Sequence, residues 1–231
     1  MPKLSIIIPC YNYGIYLERT IKSIYNNKTD LEYDITVVDD CSTDDSFLLE
    51  EKLSRNYKFT LMRTSENKKV ARARNFGITN TQGSLIICLD ADDVISSNYI
   101  QENYNNIKNF DCDISYPNMQ FFGEKNFSYY IPEFSVDTFV SGHNYVVNAS
   151  MYKRQVWIDN LGYDEQIYGY EDYEFWINAA KAGKKFKHCP DAIFYYRKDG
   201  PCLSLDYEKH LPEIQKYLHQ KHAGFYKGGA Q

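Results

Sequence analysis

Residues 85–93 read LIICLDADD: five apolar residues in a row and then three carboxylates in four positions. The apolar run, Leu85–Leu89, is a strand, and Asp90-Ala91-Asp92-Asp93 is what the chain presents as it leaves the strand. The same rhythm lies upstream. Leu4–Ile8 is a short apolar run with three consecutive isoleucines, the pattern of a strand buried on both faces. Leu17, Thr20, Ile21 and Ile24 then recur at helical spacing between Glu18, Arg19 and Lys22. Asp34–Val38 is a second strand, and Ser42 followed by Asp45 gives a capping signature for a helix over about 44–55. Phe59–Met62 reads as a third strand and Lys68–Ile78 as a third helix. Strand and helix in alternation predict a parallel sheet with right-handed crossovers.

Downstream of Asp93 the rhythm changes. A helix is expected from Ser97 to about Lys108, short strand-like pieces near 112–131, and a helix over Glu171–Ala182 ended by Gly183. Phe186–Cys189 and Ala192–Tyr196 read as strands, and Asp206–His222 as an amphipathic helix before a Gly-Gly tail. Repeats, linkers and low-complexity blocks are absent, so one domain over 1–231 is expected.

The chain has 231 residues, 43% of them hydrophobic and 25% charged, enough to bury a core. Thirty-one acidic residues against 26 basic ones leave a net charge of −5, which argues against nucleic acid as a partner. The apolar run before Pro9 is too short for a signal peptide or a membrane span. Contact with a membrane surface stays open. Six cysteines, at 10, 41, 88, 112, 189 and 202, show no C-x-x-C and no zinc spacing, and read as reduced thiols in a cytoplasmic protein.

In an open parallel sheet ligands bind beyond the carboxyl ends of the strands. The segments placed there are Pro9-Cys10-Tyr11-Asn12, Asp39-Asp40 and Asp90-Ala91-Asp92-Asp93. Five carboxylates on one edge repel one another unless a cation neutralises them, and hard oxygen ligands suit Mg²⁺ or Mn²⁺. Such an ion is commonly shared with substrate phosphates, so a nucleotide diphosphate is the natural second partner. The alternative is that these residues are solvated turn formers and helix caps.

The runs SIIIPCYNYGIYLERTIKSI, ITVVDDCSTDDS, VARARNFGI, GSLIICLDADD, LGYDEQIYGYEDYEFWINAAKAG and FYYRKDGPCLS resemble, in order, the motif series of family 2 glycosyltransferases with the GT-A fold. The likeness runs from about 4 to 204 with a gap near 112–148. D-x-D by itself is a weak signal; the ordered series is specific. The fold it implies is α/β: a Rossmann-like, mainly parallel central sheet flanked by helices, with a smaller mixed sheet on the acceptor side. Residues 1–110 would be the nucleotide-sugar half, 111–205 the acceptor and catalytic half, and 206–231 a C-terminal helix and tail.

The resemblance also implies roles. Pro9, Tyr11 and Asp39 would hold the nucleobase, and a carboxylate can accept the N3–H of uracil or thymine. Arg74 of the A-R-N motif would lie near the nucleotide or pair with a neighbouring Asp. Of the D-x-D, Asp92 would touch the metal and Asp90 the ribose or a bridging group, with Asp93 behind them. Glu171-Asp172 matches the family's E-D pair, which places Glu171 at the nucleotide sugar and makes Asp172 the base that deprotonates the acceptor hydroxyl opposite the leaving diphosphate, with inversion. The alternative for the pair is plain stabilisation of a helix N-terminus.

Three departures stand out. Lys68-Lys69 occupies a place where the family often has small residues, and these lysines with Arg72 read as a coat on the helix. Asp199 stands where a His often completes the metal site, so the metal set becomes Asp92, Asp90 and Asp199, with His188 read as structural. Asn178 stands where an Arg is frequent. Residues 117–148, rich in Phe and Tyr, would either stack on acceptor sugar or fill core. The activity implied is transfer of a hexose-type sugar from a nucleotide diphosphate donor, UDP first and dTDP second, with Mn²⁺ or Mg²⁺. The acceptor would be a hydroxyl of a glycan, a lipid-linked molecule or a protein. A nucleotide-sugar or carbohydrate-binding module on the same fold is the alternative. A nucleotidylyltransferase would need a Gly-rich phosphate loop, which PCYNYG is not.

Overall fold

The computed structural model describes residues 3–199 and 209–225. β1 (Leu4–Cys10) is buried along all seven residues, as a strand covered on both faces must be. It pairs in parallel with β2 (Tyr33–Asp39) from Leu4↔Tyr33 to Cys10↔Asp39, and with β4 (Leu85–Cys88); β3 (Thr60–Arg63) pairs in parallel with β2. The crossovers are α1 (Gly14–Tyr25), α2 (Ser46–Ser54) and α3 (Lys69–Thr79). This half agrees with the alternation in the sequence. It brings residues 10–12, 39–41 and 90–93 to one edge of the sheet.

The second half adds β5 (Val94–Ile95), α4 (Tyr99–Phe110), β6 (Ile114–Gly123), β7 (Phe127–Tyr129), α5 (Val136–Val140), β8 (Met151–Lys153), α6 (Arg154–Asp159), α7 (Glu171–Lys181), β9 (Phe186–Lys198) and α8 (Leu211–Lys221). Among the described residues the nine strands form one mixed sheet ordered β3-β2-β1-β4-β8-β6-β9-β5, with β7 paired to β6. β8 is the joint, antiparallel to both β4 and β6. The parallel half and the mixed half are therefore continuous.

One core lies between the sheet and α1 and α4, built on Leu17, Ile21, Ile24, Ile100 and Ile107. The opposite core holds Ala71, Ala73 and Ile78 of α3, Tyr173, Phe175, Trp176 and Ile177 of α7, and Ile214 and Leu218 of α8. Gly77 lets α3 lie close to the sheet, since a Cβ there would sit 2.5 Å from Ile7 Cγ2.

Two local expectations differ from what forms. The capping pair Ser42/Asp45 does not assemble: α2 opens at Ser46, whose N–H bonds Asp44 Oδ1 at 2.9 Å, while Ser42 Oγ accepts from Asn12 N at 3.0 Å. Phe186–Cys189 and Ala192–Tyr196 are one strand, because β9 stays paired to β6 through a register shift opposite Pro117/Asn118 that absorbs Pro190 and Asp191. The start of the last helix at Asp206, Cys202 and the Gly-Gly tail lie outside the described residues. The cysteines at 10, 41, 88, 112 and 189 are free. No helix among the described residues is long and apolar enough to cross a membrane.

Candidate active site

The turn after β1 is set by Asn12, at φ 59°, whose Oδ1 accepts from Thr43 N at 2.8 Å and so ties this turn to the one after β2. Pro9 is buried in β1, and Tyr11 is 38% exposed at the rim. Asp39, at the end of β2, has no exposed surface. Its oxygens accept from Ser42 N at 3.2 Å each, and Oδ2 lies 3.0 Å from Arg63 Nε. Asp40 accepts from Thr64 Oγ1 at 2.9 Å and from Lys68 N, and burial raises its carboxyl above the usual range.

After β4 the acidic segment divides into three roles. Asp90 is a third exposed and takes a 2.8 Å bond from Arg74 Nη2. Asp92, partly exposed, is pushed up to about 6 by burial and by the charge of Asp90. Asp93 is buried, and its carboxyl is raised by burial and by the two neighbouring aspartates. Its Oδ1 accepts from Arg197 N at 2.8 Å, and its Oδ2 has no hydrogen-bond partner. Asp93 therefore backs the D-x-D from behind.

Arg197, at the end of β9, was not singled out by the sequence. Its Nε donates to the Asp92 carbonyl at 3.1 Å, its Nη1 lies 2.6 Å from Asp199 Oδ2, and it is sandwiched between Tyr16 and Phe122. Asp199 Oδ1 accepts from Glu124 N at 2.8 Å. Asp199, expected to complete a metal site, has its Oδ1 on the β6–β7 turn through Glu124 N and its Oδ2 on Arg197 of β9. Gly123 permits the closeness, for at φ 103° a Cβ would come within 1.9 Å of Asp199 Oδ1.

Across the opening, α7 starts just after Tyr170, held at φ 58°. Glu171 bonds Arg74 Nη1, so one guanidinium, 2% exposed, spans from Asp90 to Glu171. Of the two readings of Arg74 from sequence, the ion pair with a neighbouring Asp is the one that forms. Asp172 Oδ1 takes the N–H of Tyr173 at 2.7 Å and Oδ2 takes Asn144 Nδ2 at 3.3 Å. Burial, then the charge of Glu171, push Asp172 up to about 7, with Arg74 pulling the other way. A carboxyl balanced near neutrality and partly exposed can take a proton.

Among the described residues no group of three His, Cys, Asp or Glu side chains is arranged to hold a metal ion. Asp90 and Asp92 nonetheless fit a hard ion whose other ligands are phosphates. They are hard oxygen donors, and Asp92, raised first by burial and then by the charge of Asp90, would be relieved by a cation beside it.

The sequence profile of the family described as glycosyl transferase family 2 matches residues 5–168. The chain belongs to that family. A poly(ribitol-phosphate) beta-glucosyltransferase of Bacillus spizizenii is 27% identical over 220 residues, covering 89% of this chain and 34% of that protein. The crystal structure of S. aureus TarS 1-349 in complex with UDP-GlcNAc is similar at TM-score 0.75 and 21% identity, over 87% of this chain and 60% of that one. Mannosyltransferase PcManGT from Pyrobaculum calidifontis, in complex with GDP-Man and Mn²⁺, is similar at TM-score 0.66 and 16% identity, over 84% of this chain and 56% of that one. The two structures establish the fold alone, and it is the GT-A fold. Several curated relatives are longer proteins, of which this chain spans between 24% and 47%.

Within this family 2 glycosyltransferase the remaining motif residues fall into plainer places. Lys68 pairs with Glu66, Arg72 lies 4.0 Å from Glu165, and Lys69 sits over the Tyr168 ring, in line with a coat. His188 stacks on Tyr116 and bonds Asn118 Oδ1 at 3.0 Å, a structural role. Asn178 Nδ2 donates to Glu174 Oε1. The aromatic stretch splits: Phe139 and Tyr145 are core, whereas Tyr130 is 84% exposed. Asn144 and Arg63 join Arg197 as contacts not found from sequence. Arg197 had a signal, a cation two residues from Asp199; Asn144 had none.

Proposed function

We propose that this chain is an inverting, metal-dependent hexosyltransferase acting from a UDP-sugar on a hydroxyl acceptor, with dTDP the second carrier. The observation that carries the proposal is the Arg74 bridge, which fastens the D-x-D end of β4 to the helix start that bears Asp172. Asp39 accepts the N3–H of the base, which displaces the partly exposed Arg63. Tyr11 and Pro9 flank the base. Asp92 with Asp90 would hold Mn²⁺ or Mg²⁺, which when bound neutralises charge on the departing diphosphate. Asp172, poised near pH 7, takes the acceptor proton; Asn144 fixes the orientation of its carboxyl, and Arg74 keeps Glu171 from raising it further.

The poly(ribitol-phosphate) relative and the TarS likeness support a polyol-phosphate polymer as the acceptor. The PcManGT complex supports a divalent ion. Free cysteines support work in the reducing cytoplasm. The test is transfer from UDP-Glc and UDP-GlcNAc to a ribitol-phosphate oligomer with Mn²⁺, followed by NMR of the new anomeric centre. An inverted anomer supports the proposal, whereas a retained anomer, or sugar transfer undiminished in EDTA, contradicts it.

A further inference from the structure

α8 meets α7 through an apolar stripe and a charged end. Ile214 and Leu218 are buried in the core that holds Trp176 and Ile177 of α7. The charged end surrounds Glu174, two residues beyond Asp172, which has no exposed surface. Glu174 Oε1 accepts from Lys221 Nζ at 2.8 Å, from His222 Nε2 at 3.0 Å and from Asn178 Nδ2 at 2.8 Å. Lys181 Nζ lies 3.1 Å from His222 Nδ1. An ammonium only donates, so Nδ1 is the acceptor and the ring carries its proton on Nε2, aimed at Glu174. One cation thus meets the buried carboxylate directly and a second reaches it through the imidazole.

The same helix grips the segment that leads into α7. Lys221 Nζ and the Tyr217 hydroxyl each lie 2.6 Å from Asp164 Oδ2, and His210 packs edge-on to Tyr168 at 5.0 Å. Glu171 and Asp172 are therefore bracketed, before and after, by side chains that α8 holds. A buried carboxylate is tolerated only while paired, and Glu174 Oε2 has no partner of its own, so α7 can keep this pose only with α8 docked. A base must be held within a fraction of an ångström of its productive geometry.

We propose that Glu174, Lys221 and His222 are positioning residues, a clamp by which α8 fixes α7 and through it the carboxyl of Asp172. The proposal rests on the reading of Asp172 as the base.

The test uses the full chain with Lys221→Met, His222→Phe and the conservative Lys221→Arg. Lys221→Met and His222→Phe are expected to lower kcat at least tenfold while UDP-sugar affinity stays within twofold. The acidic limb of the kcat profile should move to lower pH, because a loosened α7 lets water reach Asp172. Lys221→Arg, which keeps the charge, is expected to retain kcat. Hydrogen exchange supplies a readout independent of turnover: amides 172–176 should exchange at least tenfold faster in Lys221→Met, with β1 amides unchanged. Should Lys221→Met not fold, Tyr217→Phe is read by the same two measurements, as a milder loosening of the clamp. Unchanged kcat and exchange, or kcat and donor affinity falling together, overturns the clamp. If Asp172→Asn leaves turnover intact, the base reading fails, and the exchange experiment still decides whether the clamp exists.

Discussion

Asp90 and Glu171 share one guanidinium: Arg74 Nη2 lies 2.8 Å from Asp90 Oδ1 while Nη1 bonds Glu171. The bridge joins the end of β4 to the first turn of α7, and it stands between two carboxylates that would otherwise repel. Arg74→Ala is expected to lower stability by about 3 kcal/mol, the lower end for a broken buried pair because Asp90 is partly exposed. Arg74→Lys cannot span both carboxylates and is expected to lower kcat/KM by about 10²-fold. In Arg74→Ala the acidic limb of kcat should rise above its parent value, since the charge of Arg74 holds Asp172 down. Chemical denaturation and a pH–rate profile check these outcomes.

Glu50 on α2 gives a stability prediction of its own. It has no exposed surface, with the Cys10 thiol and the Asp39 carboxylate beside it. Burial pushes its carboxyl up to about 8 from 4.5. The folded value is raised, so the stability it contributes is full below pH 4.5 and is lost as pH rises through about 8. Glu50→Gln is expected to be more stable than the parent by about 3 kcal/mol at pH 7, at 1.36 kcal/mol per unit, with no advantage below pH 4.5. Urea unfolding between pH 4 and 9 measures the difference, and a pH-independent gap would contradict it.

The alternation of β1 to β4 was legible because each strand is a short apolar run and each crossover has helical spacing. Asp90, Asp92 and Asp172 were legible because they sit at fixed places in local motifs. Arg197, Asn144 and Arg63 were not, since each reaches its partner only once distant strands and helices close: Arg197 reaches Asp92 from the far end of β9. The partners of Asp199 were hidden for the same reason. Its motif position suggests a ligand, and only the fold reveals Glu124 N–H and Arg197 on its two oxygens. The interruption at Pro190 looked like a strand break because a register shift leaves no mark in composition.

Asp199 and Asp92 can be separated experimentally. Asp92→Asn is expected to abolish the difference in UDP affinity between Mn²⁺ and EDTA, whereas Asp199→Asn leaves the Mn²⁺ concentration for half-maximal activity within twofold of the parent. In thermal shift, UDP with Mn²⁺ at 100 times its dissociation constant should add about 2.7 kcal/mol to the parent, and EDTA should remove most of it. A large rise in the Mn²⁺ requirement of Asp199→Asn would restore that residue to the metal site.

The central claim is that Asp172, across the opening from the D-x-D, removes the acceptor proton. Asp172→Asn preserves the side chain's shape and an oxygen that can accept the Tyr173 N–H. The decisive measurement is kcat against pH for Asp172→Asn beside the parent and Glu171→Gln, with UDP-sugar affinity measured on each. The account predicts a 10²- to 10⁴-fold fall in kcat for Asp172→Asn, unchanged donor affinity, and loss of the acidic limb that it expects for the parent near pH 7. Turnover of Asp172→Asn near the parent's, or a larger loss in Glu171→Gln, would contradict it.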